Sequence, residues 1–259
     1  MKKAGANIEA LIFDVDGTLA DTEEIHRQSF NESFTNFELD WLWSEKEYEN
    51  LLKISGGRER IKYYSIYHKG KVQLSDGDIR AIHEYKNLLY QSKITEKKIK
   101  LRTGVDELVT TLHQNNIKIA IATSSSLNNI NKLLTCCIGQ DWQDIFTVIE
   151  TSESTPEKKP NPSVYRNVLS KLKVDSRQTI AIEDTPNGLM SAHGAGIKTI
   201  VTVHQMTERL CFPAAALVVD SIGTSGAPFR LIKGDSFGNG YISLELLNKL
   251  IRKNYSIIT

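Results

Sequence analysis

Asp14 and Asp16 stand one residue apart where an apolar run, Ile8-Glu9-Ala10-Leu11-Ile12-Phe13, gives way to Gly17-Thr18. A short apolar run closed by a glycine turn reads as a buried strand of a parallel sheet. Open α/β sheets bind ligands outside the carboxyl ends of their strands. Side chains two apart on an extended strand share a face. Two carboxylates held together there repel each other unless a cation joins them. A hard divalent ion with oxygen ligands, most simply Mg2+, suits such a pair. The chemistry this permits is covalent: one aspartate attacks a phosphoryl group and the other moves a proton.

Later strand ends supply complementary groups. Thr123-Ser124-Ser125-Ser126 follows the apolar stretch Ile117–Ala122 and offers a hydroxyl and backbone N–H groups to phosphate oxygens. Lys159 brings a positive charge just ahead of Pro160 and Pro162, which stiffen its loop. Glu183 and Asp184 follow the strand Thr179–Ile182 as a second pair of acids. Each feature alone also has an ordinary use. Asp-x-Asp and Thr-Ser-Ser-Ser cap helices or make turns, a loop lysine is usually solvated, and Glu183-Asp184 can cap the helix after Pro186. The specific signal is the ordered set: two acids, a hydroxyl, a lysine and two more acids, each after its own strand.

The elements that position these groups follow from periodicity. Strands at 8–13, 117–122, 146–149, 179–182, 198–203 and 216–219 alternate with helical patterns at 105–112, 128–134 and 163–172 and a helix ending at Ala195-Gly196. This alternation predicts an α/β fold, a Rossmann-like parallel sheet with helices on both faces. No convincing strand lies between residues 22 and 98. Helical spacing runs from Asp21 to Leu39, capped by Thr22 or Asp21. It resumes at Ser44-Glu45-Lys46-Glu47, after the Ser55-Gly56-Gly57 break, and again from Ser75-Asp76-Gly77-Asp78. The expected division is a core of residues 1–21 and 100–259 with a helical cap inserted at 22–99, hinged near Ala20–Thr22 and Lys100–Thr103. A final helix is expected over Ser243–Arg252, and the rest of 222–259 carries no clear pattern.

Composition narrows the function classes. A chain of 259 residues with 40% hydrophobic content can bury a full core, and a net charge of +1 gives no general attraction to nucleic acid or membrane surfaces. No apolar stretch approaches the roughly 18 residues of a membrane span. Met1-Lys2-Lys3 carries no apolar run fit for a signal peptide, and the first residues are short for a transit peptide. Cys136, Cys137 and Cys211 have neither disulfide-framework nor zinc-ligand spacing and are expected as reduced, buried thiols. A bacterial cytoplasm or a plastid stroma is the expected setting, and a monomer acting on a small molecule the expected form.

In their order, Asp14-Val15-Asp16-Gly17-Thr18, Thr123, Lys159 and Glu183-Asp184 make the chain resemble the haloacid dehalogenase-like superfamily, over essentially residues 8 to 220. The resemblance implies that Asp14 is the nucleophile that becomes an aspartyl phosphate and that Asp16 protonates the departing sugar oxygen and then activates water. It implies Mg2+ held by the Asp14 carboxylate, the Asp16 carbonyl, Asp184 and Glu183. Thr123 and Ser124 would bind the phosphoryl oxygens, with Lys159 offsetting charge. Asp16 argues against a true dehalogenase and against the cation-pumping branch. Positioning and charge neutralisation are what phosphoryl transfer needs.

The inserted segment is similar to CbbY-type phosphatases, which act on xylulose-1,5-bisphosphate. The likeness is carried by Asp21-Thr22-Glu23-Glu24-Ile25-His26-Arg27, Asp40-Trp41-Leu42-Trp43 and Gly56-Gly57-Arg58-Glu59-Arg60-Ile61. It implies a distal phosphate gripped by Arg58, Arg60 or Lys53, since arginine suits bidentate phosphate contacts, and sugar hydroxyls met by Glu23 and His26. A mutase resembling β-phosphoglucomutase would share the acids, the metal and the cap. A non-catalytic phosphoacceptor would share Asp14, Thr123 and Lys159 but needs neither Asp16 nor a helical lid.

Overall fold

The computed structural model describes residues 7–68 and 73–253; Met1-Lys2-Lys3 lies outside them. Seven strands form one sheet in the order β3-β2-β1-β4-β5-β6-β7. They are β1 (Ala10–Phe13), β2 (Lys118–Ala122), β3 (Val148–Glu150), β4 (Thr179–Glu183), β5 (Lys198–Thr202), β6 (Leu217–Val219) and β7 (Leu231–Gly234). All pairs are parallel except β6 with β7. The central strand β1 pairs in register with both β2 and β4, so the chain leaves β1, β2 and β4 at one edge of the sheet.

The strands put large side chains on one face and mostly alanine on the other, where Ile12 is the large exception. Leu11, Phe13, Ile119, Ile121, Ile180 and Ile182 face helices α5 (Val105–Gln114), α6 (Leu127–Cys137) and α9 (Leu244–Arg252). Ala10, Ala120, Ala122 and Ala181 face α7 (Ser163–Leu172) and α8 (Pro186–Gly194), which pack through Val164, Tyr165, Val168 and Ala192. The period of two thus gives each face its own core.

Helices α1 (Glu23–Asn36), α2 (Glu45–Leu51), α3 (Gly57–Tyr67) and α4 (Asp76–Lys97) stand between β1 and α5. They enclose a separate, aromatic-rich cluster that includes Phe30, Phe34, Trp41, Trp43, Tyr48 and Tyr64 with Ile61. Phe34 and Trp43 meet edge to face at 4.8 Å, the favoured geometry for ring pairs. Ser44 and Ser75 form reciprocal capping boxes with Glu47 and Asp78, as their spacing predicts. The two connections between the layers meet in an isolated bridge between Ala20 and Leu101.

Three local expectations are corrected, and one stretch without a clear pattern proves to hold a strand. Thr22 lies at the N-terminus of α1 but makes no side-chain cap; its hydroxyl is drawn to Asp16 instead. The strand expected at 146–149 begins at Val148, because Trp142–Ile145 forms a 3-10 turn and the Phe146 N–H donates to Gln143 O. β7 shows no apolar alternation because all four of its residues are exposed on an antiparallel edge. The cysteines are free but not buried: Cys136 and Cys211 are exposed and Cys137 is half-buried.

Candidate active site

Three strand ends converge on one buried lysine. Lys159 Nζ donates to Asp14 Oδ1 at 2.6 Å, to Glu183 Oε1 at 2.6 Å and to the Ala122 carbonyl at 2.8 Å. All three ammonium protons therefore have partners. The Lys159–Pro160 peptide is cis. Tyr165 OH, from α7, also donates to Glu183 Oε1 at 2.6 Å. Asp184 Oδ2 accepts from His204 Nε2 at 3.0 Å. Burial pushes the Asp14 carboxyl up to about 8 against the pull of Lys159, while Glu183 adds to the rise. Burial likewise moves Asp184 up to about 6, opposed by His204. Lys159, flanked by Asp14 and Glu183, is held protonated despite its burial.

The donor set fits a hard divalent ion. Asp14, Glu183 and Asp184 each present an oxygen, all within 4.8 Å of one another. Glu183 Oε2 is buried with no hydrogen-bond partner, a costly state that a cation relieves. Gly188 and Gly17 are required beside these acids, since a Cβ at either would overlap the carboxylates of Glu183 and Asp184 respectively. Three carboxylates against one lysine leave a formal charge of −3 + 1 = −2, the complement of one Mg2+.

Asp16 is set apart from this cluster. Its Oδ1 accepts from Thr22 Oγ1 at 2.7 Å, His26 Nε2 at 3.0 Å and Tyr90 OH at 3.1 Å, and its Oδ2 accepts from Ser125 Oγ. Burial alone would raise this carboxyl, but His26 and the Ser125 and Thr22 hydroxyls hold it well below the usual range. His26 stacks on Tyr90 at 4.1 Å between ring centroids. Its Nδ1 lies 2.6 Å from Lys86 Nζ, so Nδ1 accepts and Nε2 carries the proton given to Asp16. Asp16, His26 and Lys86 form a line from the sheet edge into α4.

A cavity of about 440 Å³ lies between the sheet edge and the helical layer. Asp14, Asp16, Thr123, Ser124, Lys159 and Asp184 line its floor, and Glu23, His26, Arg58, Arg60, His83 and Lys86 its roof. Amide side chains join roof to floor on two sides. Gln91 Nε2 donates to Asn129 Oδ1 at 2.9 Å and Asn129 Nδ2 to Asn87 Oδ1 at 3.1 Å on one side. Asn187 Nδ2 donates to the Lys53 carbonyl at 2.7 Å and to Ser55 Oγ at 3.2 Å on the other.

Comparisons with known proteins place this arrangement. The sequence matches the haloacid dehalogenase-like hydrolase family over residues 11–202. The chain belongs to the haloacid dehalogenase-like hydrolases. Protein CbbY of Cereibacter sphaeroides is 39% identical over 219 residues, covering 85% of this chain and 94% of that protein. A crystal structure of a CbbY variant from Rhodobacter sphaeroides in complex with xylulose-1,5-bisphosphate superposes with a TM-score of 0.79 at 39% identity, covering 83% of this chain and 94% of that one. A β-phosphoglucomutase from Clostridium difficile superposes with a TM-score of 0.69 at 27% identity, covering 83% and 91%.

In this hydrolase the residues singled out by sequence converge with one exception. Lys53 is exposed and does not line the cavity; only its backbone carbonyl takes part, in the Asn187 clasp. Arg60 lines the roof but is committed, donating to Tyr48 OH at 2.9 Å and to the Leu51 and Ile54 carbonyls. Glu23 accepts from Tyr48 OH at 2.8 Å. Sequence reasoning did not find Lys86, Tyr90, Ser125, Tyr165 or His204. Ser125 stood in the Thr-Ser-Ser-Ser run already marked, and Lys86 and Tyr90 lie one helical turn apart on α4. That shared face was a readable signal, masked because both positions looked like ordinary helix surface and core.

Proposed function

We propose that this hydrolase is a Mg2+-dependent phosphatase of sugar phosphates that converts xylulose-1,5-bisphosphate to xylulose 5-phosphate and inorganic phosphate. The observation that carries the reading is the meeting of Asp14, Lys159 and Asp184, with Glu183 buried beneath them, at the floor of a cavity whose roof carries Arg58, Arg60 and Lys86. The CbbY likeness supports the choice of substrate.

In this reading Asp14 attacks phosphorus. An Asp14 O–P bond forms as the P–O bond to the sugar breaks, giving an aspartyl phosphate. Lys159 holds the Asp14 carboxyl in place, pulls it towards the ionised form against its burial, and offsets charge on the transferring group. Thr123 and Ser124 receive the phosphoryl oxygens at the end of β2. Asp16 gives a proton to the departing sugar oxygen and later takes one from the attacking water. With Thr22, His26, Tyr90 and Ser125 all bonded to it, Asp16 rests in the basic form, so the proton it donates must be supplied. His26, bonded to both Asp16 and Lys86, is placed to pass it. Asp14, Glu183, Asp184 and the Asp16 carbonyl would hold Mg2+, which when bound neutralises developing charge on the phosphoryl oxygens.

Residues 22–99 act as the cap, closing over the core of 1–21 and 100–259 to exclude bulk water. The enzyme works as a monomer on a small molecule, in a cytoplasm or plastid stroma. No helix among the described residues is long and apolar enough to cross a membrane. The β-phosphoglucomutase likeness favours one second reading, a sugar-phosphate mutase with the same nucleophile. A screen of sugar mono- and bisphosphates with Mg2+ separates the two. Steady release of phosphate, fastest on xylulose-1,5-bisphosphate, supports the phosphatase; isomer interconversion with little phosphate refutes it.

A further inference from the structure

We infer that His204 is a positioning residue that fixes Asp184 in the orientation needed to hold the metal ion. The inference rests on the Mg2+ reading above and concerns a residue outside the strand-end motifs.

His204 is the second residue past the end of β5 and is 8% exposed. Its ring is locked from both sides. The Met206 N–H donates to Nδ1 at 3.3 Å, so Nδ1 is an acceptor and Nε2 carries the hydrogen. That Nε2–H donates to Asp184 Oδ2 at 3.0 Å. The backbone around the ring is a closed turn. His204 N donates to Thr207 Oγ1 at 3.1 Å, and the N–H groups of Thr207 and Glu208 both return to His204 O at 2.9 Å.

The mount of this turn is braced by the cap linker. Arg102, on the second connection between cap and core, donates to the Thr202 carbonyl at 3.0 Å and to the carbonyls of Val203 and Asp220 at 2.7 Å each. It also donates to the carbonyl of Gly17. Gly17 has φ of 79°, and a Cβ there would overlap Asp184 Oδ2 and crowd His204 Nε2. The close approach of imidazole to carboxylate therefore depends on the glycine of the first motif.

The consequence for Asp184 is that one oxygen is spoken for. Among the described residues Oδ1 has no protein hydrogen bond, and Oδ2 has only His204. A carboxylate pinned through one oxygen by a rigid donor loses its rotation and presents the other oxygen in one direction. Groups that orient a metal ligand in this way typically hold about 10- to 100-fold of metal affinity.

The test titrates substrate-free protein with Mg2+ by calorimetry, alongside thermal unfolding in EDTA and in Mg2+. His204→Ala and His204→Phe remove the donor, the second keeping ring volume; His204→Gln keeps an N–H of similar reach. The expected result is a Kd for Mg2+ raised about 10- to 100-fold in the Ala and Phe variants and within about threefold of wild type in Gln. At saturating Mg2+ the KM for the sugar phosphate should stay near the wild-type value. EDTA melts identify the variants that fold; if Ala does not, the Phe and Gln pair carries the comparison. Mg2+ affinity that survives in the Phe variant, or that falls equally in Gln, overturns the role of His204 alone. Wild-type protein that binds no Mg2+ overturns the metal reading itself, and this inference with it.

Discussion

Replacing Lys86 by methionine measures a charge that the fold keeps away from water. Lys86 is 3% exposed, and its Nζ lies 2.6 Å from His26 Nδ1 and 4.8 and 5.1 Å from the ring centres of Phe30 and Tyr90. No carboxylate forms an ion pair with it among the described residues. Burial therefore pushes the ammonium down from 10.5 to about 7, only partly opposed by the more distant Asp16. Between those values the unfolded chain binds a proton that the folded chain has released. Stability consequently rises as pH rises through this window, and the charge costs most at and below its lower end. With about 1.36 kcal/mol per pKa unit, the gain from about pH 8 to about pH 10 comes to roughly 2.5 kcal/mol. Methionine keeps the stem and has no proton to lose, so Lys86→Met should lack this slope. Leaving His26 Nδ1 unpaired costs the variant about 1–3 kcal/mol, but equally at both pH values. Urea unfolding of both proteins at the two pH values gives the difference of differences. A value below about 0.5 kcal/mol, the ordinary scatter between independent sites, would refute the claim that burial sets this charge.

Three further outcomes follow from the same geometry. Asp16→Asn should slow turnover by about 10²–10⁴, the usual worth of a general acid–base; an unchanged rate of phosphate release removes Asp16 from that role. Arg58→Glu should raise KM for a bisphosphate more than for a monophosphate, and equal effects would discard a distal grip on the roof. Asn187→Ala or Asn129→Ala removes the amide clasp on one side between roof and floor. Each neutral hydrogen bond contributes about 0.5–1.5 kcal/mol, so KM should rise about 2- to 10-fold, and unaltered kinetics would show that closure does not use these amides.

The sheet was readable because its strands are buried on both faces. Three or four consecutive apolar residues ending in a polar group mark β1, β2 and β4 without regard to what surrounds them. The floor of the site was readable for the same reason: Asp14, Thr123 and Asp184 each stand one residue past a strand, and Glu183 is the last residue of its own. β7 escaped because an exposed edge strand needs no apolar face. Thr22 was misread because the same hydroxyl can cap a helix or serve a carboxylate six residues back, and only the fold brings Asp16 within reach. Lys86 and His204 were invisible for a deeper reason. Their partners lie 60 and 20 residues away, and nothing local distinguishes a buried lysine from one on a helix surface. Lys53 failed in the opposite sense: a cation near a glycine break looked available to the cavity, but its side chain turns to solvent.

The cavity is electrically polarised from floor to roof, and this constrains what can lie across it. At the floor Asp14, Glu183 and Asp184 leave two formal negative charges over Lys159, and ionised Asp16 beside them adds a third. The roof gathers Arg58, Arg60, His83 and Lys86 with the acids Glu23 and Glu59 among them. The roof cations repel one another's protons, and His83 shows it: burial, then Lys86 and Arg58, drive its ring down to about 3, leaving it neutral with a buried, unpaired Nδ1. Arg60 is bound to Tyr48 and two carbonyls, and Lys86 to His26. Of the three roof cations Arg58, Arg60 and Lys86, Arg58 alone has no hydrogen-bond partner among the described residues, so it can meet an anion without giving up a contact. A ligand with a single phosphate satisfies only one end of this gradient. One with a phosphate at each end places the first where a cation must join the floor acids and the second against Arg58. The free cation on the roof, more than the acids below it, is therefore what argues for a bisphosphate.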